Sequence, residues 1–293
     1  MRLDDYRSSD NVGDQRGQRF GGGGGGGLGL IMNLVASRFG IGGIIVVAIG
    51  AMLLGINPFG GGSSVGPGVK SSTEVSQTAA QKACAVDAAS TFSCRVLAST
   101  EDTWAKIFAE RGQKYTPAGF IFYSGSGQSG CGAAQSAMGP FYCPTDNRIY
   151  LDTSFYNELQ QRFGAAGDFA QAYVIAHEIG HHLQYLSGTL DKASAAQARA
   201  SSAEGNAIQV KVELQADCYA GVWGGRNRDR LEPGDIEEGL RAASAIGDDT
   251  LQKASQGRVV PESFTHGSSE QRMAWLKRGL ETADPAACDT FAG

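Results

Sequence analysis

The chain has 293 residues, of which 19% are charged, and its 25 Lys and Arg against 30 Asp and Glu leave a net charge of −5. That length suffices for one sizeable core with accessory segments. The absence of a basic surplus excludes nucleic acid as a partner, because phosphate binding needs a positive footprint.

In chain order, residues 1–20 are polar and are expected to be poorly ordered. A heptaglycine, Gly21–Gly27, follows and reads as low-complexity linker. Gly40–Ile56 is an uninterrupted apolar run. As a helix it spans roughly 26 Å, close to a ~30 Å hydrocarbon core. Phe39 extends it, and Arg38 can snorkel to the headgroups. Glycine-rich sequence on both sides offers nothing to bury a core helix, and no A-x-A site marks a cleaved signal peptide. The run therefore reads as one transmembrane helix. Arg16, Arg19 and Arg38 precede it, while no Lys or Arg occurs from Pro58 to Val69. By the positive-inside rule the N-terminus is cytoplasmic and the bulk of the chain is extracytoplasmic, periplasmic or extracellular. The expected organisation is a cytoplasmic tail with polyglycine linker (residues 1–38), a membrane helix (39–56), a flexible tether rich in Gly, Ser, Thr and Pro (57–82), and a single folded domain (83–293).

All six cysteines lie after the apolar run. An even count in an exported domain predicts disulfides. Proximity suggests Cys84–Cys94 and Cys131–Cys143, and elimination leaves Cys218–Cys288. No C-x₂-C spacing supports a zinc ribbon.

Within the domain, Thr103–Arg111 reads as a helix with Trp104, Ile107 and Phe108 on one face. Phe120–Tyr123 reads as a short strand, Ser124–Gly132 as a glycine-serine loop, and Arg148–Leu151 as a strand entered from a turn at Pro144–Asn147. Helices are expected over Phe169–Leu186, Ser202–Trp223, Asp235–Ile246 and Ser269–Leu280, with Ser268 and Gln271 forming a capping box for the last. Many helices with few short strands indicate an α+β domain.

The chemistry sits in His177-Glu178-Ile179-Gly180-His181. Residues four apart on a helix differ by only ~40° in direction, so the two imidazoles can bind one metal ion. Zinc accepts such nitrogen ligands, and a catalytic site leaves one position for water. Glu178, rotated ~100° from His177, lies beside the metal, where it can take a proton from that water. This is the metalloprotease arrangement.

The third ligand is best sought in Val212-Glu213-Leu214-Gln215-Ala216-Asp217. Glu213 and Asp217 share a helix face. Glu213 would complete a His₂Glu site, and Asp217 would accept the far N–H of a ligand histidine. The flanking Val210, Val212, Leu214 and Ala216 make the helix largely apolar, so unpaired carboxylates there would be costly. Asp217 as ligand with Glu213 in support is an alternative, and so is His266. His182 points ~100° away from His181 and reads as a packing residue. His266, in a loop before the last helix, reads either as a hydrogen-bond donor to a tetrahedral oxyanion or as a surface loop histidine, and Arg272 reads as bracing that loop or pairing in the neighbourhood of Asp217. Cys131–Gly139 could be an edge strand that pairs with an extended peptide or a disulfide-closed loop.

The stretches RSSDNV (7–12) and DQRG (14–17), a glycine run with a membrane anchor, HEIGHHLQ (177–184), ELQADCYAG (213–221), LEPGDIEEGLRAASAIGDD (231–249) and FTHGSSEQR (264–272) together resemble the bacterial neutral zinc metallopeptidase family. The resemblance covers nearly the whole chain. It implies zinc ligands His177, His181 and Glu213, a catalytic Glu178, and a gluzincin-like fold with the motif helix under a small sheet. FTHGSSEQR is also similar to a segment of membrane-embedded zinc peptidases in which Thr-His-Pro precedes a helix; here Gly267 replaces the proline. The expected function is a membrane-anchored zinc metallopeptidase acting on a peptide or protein substrate. The alternatives are a zinc-stabilised, non-catalytic module that binds peptides or envelope partners, and an amidase acting on cell-wall peptide.

Overall fold

The computed structural model describes residues 1–18 and 77–292. The membrane helix expected over 39–56 and the polyglycine linker lie outside the described residues. Among the described residues no helix is long and apolar enough to cross a membrane.

The elements, in order, are β1 (Val12–Asp14), α1 (Gln77–Cys84), α2 (Ala88–Glu110), β2 (Gly119–Phe122), β3 (Ser126–Ser129), β4 (Gly132–Gln135), β5 (Phe141–Cys143), β6 (Arg148–Leu151), α3 (Ser154–Gln161), α4 (Asp168–Leu186), α5 (Thr189–Gln197), α6 (Ser202–Arg226), α7 (Asp235–Ala245), α8 (Asp248–Gln256) and α9 (Ser269–Thr282). The result is a helix-rich α+β domain. A four-stranded sheet has the order β1-β2-β6-β5, with β1, β2 and β6 parallel and β5 antiparallel to β6. The expected strands over Phe120–Tyr123 and Arg148–Leu151 appear as β2 and β6.

The four strongest helices fall where the apolar periodicity puts them. Helix α4 is buried on nearly every side from Phe169 to Gln184, the condition in which a helix need not be amphipathic. It packs against α2, α6 and α7 and touches β5. Ser201 and Glu204 form a capping box at the start of α6, and Ser268 and Gln271 form the expected one at the start of α9. All three expected disulfides are present: Cys84–Cys94, Cys131–Cys143 and Cys218–Cys288.

Other expectations are corrected. The helix foreseen from Thr103 begins at Ala88, where the Asp87 side chain caps it by accepting from the Ser90 N–H. Its first half is rich in Ser and Thr, which disfavour helices when they compete for the backbone. Here Thr91 and Ser93 turn their hydroxyls onto the carbonyls four residues back, at 3.0 and 2.7 Å. The foreseen loop Ser124–Gly132 contains β3, which pairs with β4 as a separate hairpin. Small residues hide this pairing, which is pinned by Cys131–Cys143 and by the Gln15 side chain. The Gln15 amide exchanges two 2.9 Å hydrogen bonds with the Gln128 backbone.

The largest correction concerns residues 1–18, expected as a loose tail outside a domain starting at Ala83. Leu3 and Val12 are buried in the main core at 1% and 0% exposure. Val12, Gly13 and Asp14 pair with Phe120, Ile121 and Phe122. A segment with so few apolar residues looks like a tail in sequence, yet each apolar side chain goes inward. We expect Leu3→Ala to lower the unfolding free energy by about 2–5 kcal/mol, the cost of truncating a core leucine. Chemical denaturation of the full chain measures this, and a loose tail would show no change.

Candidate metal centre

Helix α4 carries His177, Glu178 and His181, and α6 carries Glu213 and Asp217. Gly180 lets the two helices meet. A Cβ at that position would lie 2.8 Å from the Ala216 Cα and 2.9 Å from its carbonyl oxygen, so no side chain fits. The close approach brings Glu213 onto the histidine face. His177 Nε2 lies 3.2 Å and His181 Nε2 3.6 Å from Glu213 Oε2. Metal bonds of about 2.0–2.2 Å at tetrahedral angles separate ligand atoms by roughly 3.3–3.6 Å, so the three donors fit one zinc-sized ion. Among the described residues, this set and one acidic set, Asp168, Asp235 and Glu238, bring three such donors together. The acidic set lies at the N-terminal end of α4 and faces the Met1 amino group, which is 2.7 Å from Asp168.

Behind each donor a second residue fixes its orientation. His177 donates from Nδ1 to Asp217 Oδ1 at 2.8 Å, which leaves Nε2 as the metal-facing atom. His181 Nδ1 lies 2.9 Å from Gln184 Oε1, and the Gln184 amide donates to the Val212 carbonyl at 2.7 Å. Gln209 donates to the other oxygen of Glu213 at 2.9 Å. Asp217 is wholly buried. It receives Arg272 through Nε at 2.8 Å and through a terminal nitrogen at 2.9 Å, and the Tyr173 hydroxyl at 2.6 Å.

Charge states follow from these contacts. Burial pushes the Asp217 carboxyl up, but Arg272 and His177 reverse this and bring it to about 2. Burial likewise works against ionised Glu213, and His181, His177 and His266 together hold it well below the usual range. Burial pushes the Glu178 carboxyl upward, and the nearby histidines only partly oppose it. Among the described residues no side chain hydrogen-bonds Glu178; the backbone N–H of Tyr142 on β5 reaches it.

His182 accepts from the Tyr142 hydroxyl at 3.1 Å and donates to the Thr116 carbonyl at 2.7 Å. It is the packing residue foreseen, away from the donor cluster. His266 is not one of the clustered donors. It lies close enough for its charge to act on Glu213, with Nδ1 3.1 Å from Asp248 Oδ1. The other Asp248 oxygen accepts the backbone N–H groups of Thr265, His266 and Gly267. Gly267 sits at φ +89°, which a proline ring locked near −65° cannot adopt. The loop is therefore built differently from a Thr-His-Pro segment.

Sequence reasoning missed Asp248, Gln184 and Tyr173, and it left Arg272 undecided. Tyr173 had a signal, since it stands four residues before His177 on the same face. Asp248 had none, because it reaches His266 across a separate helix.

The family described as putative neutral zinc metallopeptidase matches residues 1–291. The chain belongs to this family. The uncharacterized protein YpfJ of Escherichia coli K12 is 46% identical over 295 residues, spanning 99% of each chain. The uncharacterized protein Rv2575 of Mycobacterium tuberculosis H37Rv is 40% identical over 258 residues, 83% of this chain and 85% of the relative. No solved structure matches.

The orientation of His177 by Asp217 has a measurable consequence. Asp217→Asn keeps the shape but removes the charge that holds the Nδ1 proton and answers Arg272. Zinc affinity in this variant should fall about 10–100-fold, as read by competition with a chromophoric chelator; an unchanged affinity would sink this reading of Asp217.

Proposed function

We propose that the chain is a zinc-dependent peptidase of gluzincin-like arrangement, in which His177, His181 and Glu213 hold the metal and Glu178 is the general base. The observation that carries this reading is Glu178 itself. It is buried one residue from a donor, is not among the clustered donors, and has no side-chain partner among the described residues. A structural zinc site needs no such base.

When bound, zinc supplies a Lewis acid that acidifies water and polarises a carbonyl. The chain's residues supply the rest. Glu178, buried beside the donors His177 and His181, would accept a proton from the attacking water and return it to the leaving amine. His266, whose Nδ1 faces Asp248, would donate to the oxyanion that develops on the substrate carbonyl. The terminal strand β5 packs beside α4, so its outer edge is the natural partner for an extended peptide. Residues 132–135, weighed above for that role, are paired with β3 in the hairpin. Three disulfides favour an oxidising compartment, and the apolar run Gly40–Ile56 favours membrane attachment.

The deciding experiment uses the full chain, because a fragment starting at Ala83 would lack β1. Zinc content is measured first, then cleavage of a proteome-derived peptide mixture with and without chelator. Glu178→Gln should retain zinc and lose hydrolysis by about 10²–10⁴-fold. Bound zinc without any chelator-sensitive cleavage would favour the non-catalytic binding module instead.

His266→Ala tests the oxyanion role separately. It should lower kcat about 10²–10³-fold with little change in KM or zinc content. A KM effect alone would make His266 a substrate-binding residue and not a stabiliser of the transition state.

A further inference from the structure

Behind His181 three buried groups run in line: the Gln184 amide, the Gln215 amide and the Cys288 carbonyl. Their residues are 0%, 6% and 0% exposed. The Gln184 amide nitrogen donates to the Val212 carbonyl at 2.7 Å and to Gln215 Oε1 at 3.1 Å. The Gln215 amide nitrogen in turn donates to the Cys288 carbonyl at 3.0 Å. Gln215 stands two residues from Glu213 on α6, roughly 160° around the helix. It is thus on another face from the donors, and its hydrogen bond toward them runs through Gln184.

The line has a direction. A backbone carbonyl only accepts hydrogen bonds, so Cys288 turns the Gln215 NH₂ toward itself and leaves the Gln215 oxygen for Gln184. Val212 and Gln215 then take both N–H groups of Gln184. The Gln184 oxygen is left facing His181 Nδ1 at 2.9 Å. That nitrogen must carry the hydrogen, so a bare Nε2 points toward Glu213. Turning either amide over would set two oxygens against each other and leave buried N–H groups unpaired. His177 is held in the same sense by a carboxylate that Arg272 pairs. The His181 line contains no charge, so its hold rests on the amides keeping their orientation. Packing alone does not keep Gln215 in place. It borders a cavity of about 560 Å³ that α5 and the C-terminal segment also line, and without the Cys288 carbonyl it has room to swing away from Gln184. That carbonyl is itself held by the Cys218–Cys288 bond and by the Thr290 hydroxyl, which donates to the Lys211 carbonyl at 2.7 Å.

We propose that Gln215 is a positioning residue of the metal centre: anchored on the Cys288 carbonyl, it locks Gln184 and so sets the ring orientation and the Nδ1–H form of His181. The proposal rests on the reading of His181 as a zinc ligand and is independent of peptide hydrolysis.

The test is a double-mutant cycle in the full chain, read by zinc affinity in competition with a chromophoric chelator. Gln215→Met keeps the volume and removes the hydrogen bonds. It should weaken zinc binding about tenfold, the lower end for a partner behind a ligand. In a Gln184→Met background the same change should cost less than about twofold, because the line is already cut. An equal loss in both backgrounds would overturn the proposal. A second readout separates positioning from general loosening. In the zinc-loaded chain, NMR follows the Nδ1–H protons of His177 and His181. The His181 proton should exchange with water faster in Q215M while the His177 proton exchanges as in the parent, and an equal change in both would count against the proposal. Should Q215M not fold, Gln215→Asn, too short to span Gln184 and Cys288, enters the same cycle with the same expected outcomes. Parent-like zinc affinity in the Gln215 variant refutes the proposal and leaves the metal centre standing. Parent-like affinity in His181→Ala removes His181 as a ligand, and the proposal with it.

Discussion

Asp217 is a carboxylate without exposure to water, and an uncompensated charge in such a place costs several kcal/mol. Three helices meet to satisfy it. Tyr173 and His177 come from α4, Arg272 from α9, and the carboxylate itself from α6. The same contacts aim His177 and keep its metal-facing nitrogen toward Glu213. A wholly buried anion and the group that orients His177 are thus one residue. A change at Arg272 would strand a buried anion and disturb the metal centre together, although Arg272 is not among the donors.

The helices meet as two ladders with the same spacing. On α4 the rungs are Tyr173, His177 and His181; on α6 they are Gln209, Glu213 and Asp217. Tyr173 faces Asp217, His177 touches both Asp217 and Glu213, and His181 faces Glu213. Gln209 satisfies the second Glu213 oxygen. Residues four apart line one helix face, so two such faces register only if the backbones come close. Gly180 against Ala216 provides that contact. A larger residue at 180 would separate the ladders before it disturbed any donor chemically.

What was legible in the sequence follows from this geometry. The i, i+4 rungs lie within single helices, so HEIGH and the Glu213–Asp217 pair could be read from spacing alone, and the helices bearing them from apolar periodicity. Cysteine proximity and elimination matched the disulfides. Interactions between elements could not be read. Asp248 reaches His266 from the start of α8, and Gln184 supports His181 only because Val212 lies beside it. The short helices α1, α3, α5 and α8, of eight or nine residues each, are too short to show a long apolar repeat. The hairpin of β3 and β4 has glycine, serine and alanine where strands usually carry β-branched residues. The weakest signal belonged to residues 1–18, whose polar side chains suggested solvent.

Those polar side chains carry the last step of the argument. A charged or amide group in a short segment reads as solvated because most such groups are exposed. Here the partners were already in the sequence, but far away: Glu101 for Arg7, Ser9 and Asn11, and Gln128 for Gln15. With three donors from one segment on a buried carboxylate, removal of the segment would leave Glu101 in the position that Asp217 would hold without Arg272. Both buried acids are therefore answered across elements, one at the metal centre and one at the edge of the sheet. The N-terminal segment is thus as much a part of the domain's interior electrostatics as α9 is. A hydrophobicity scan sees only Leu3, Val12 and a few neighbours; the segment's place in the fold is decided by the carboxylate it covers.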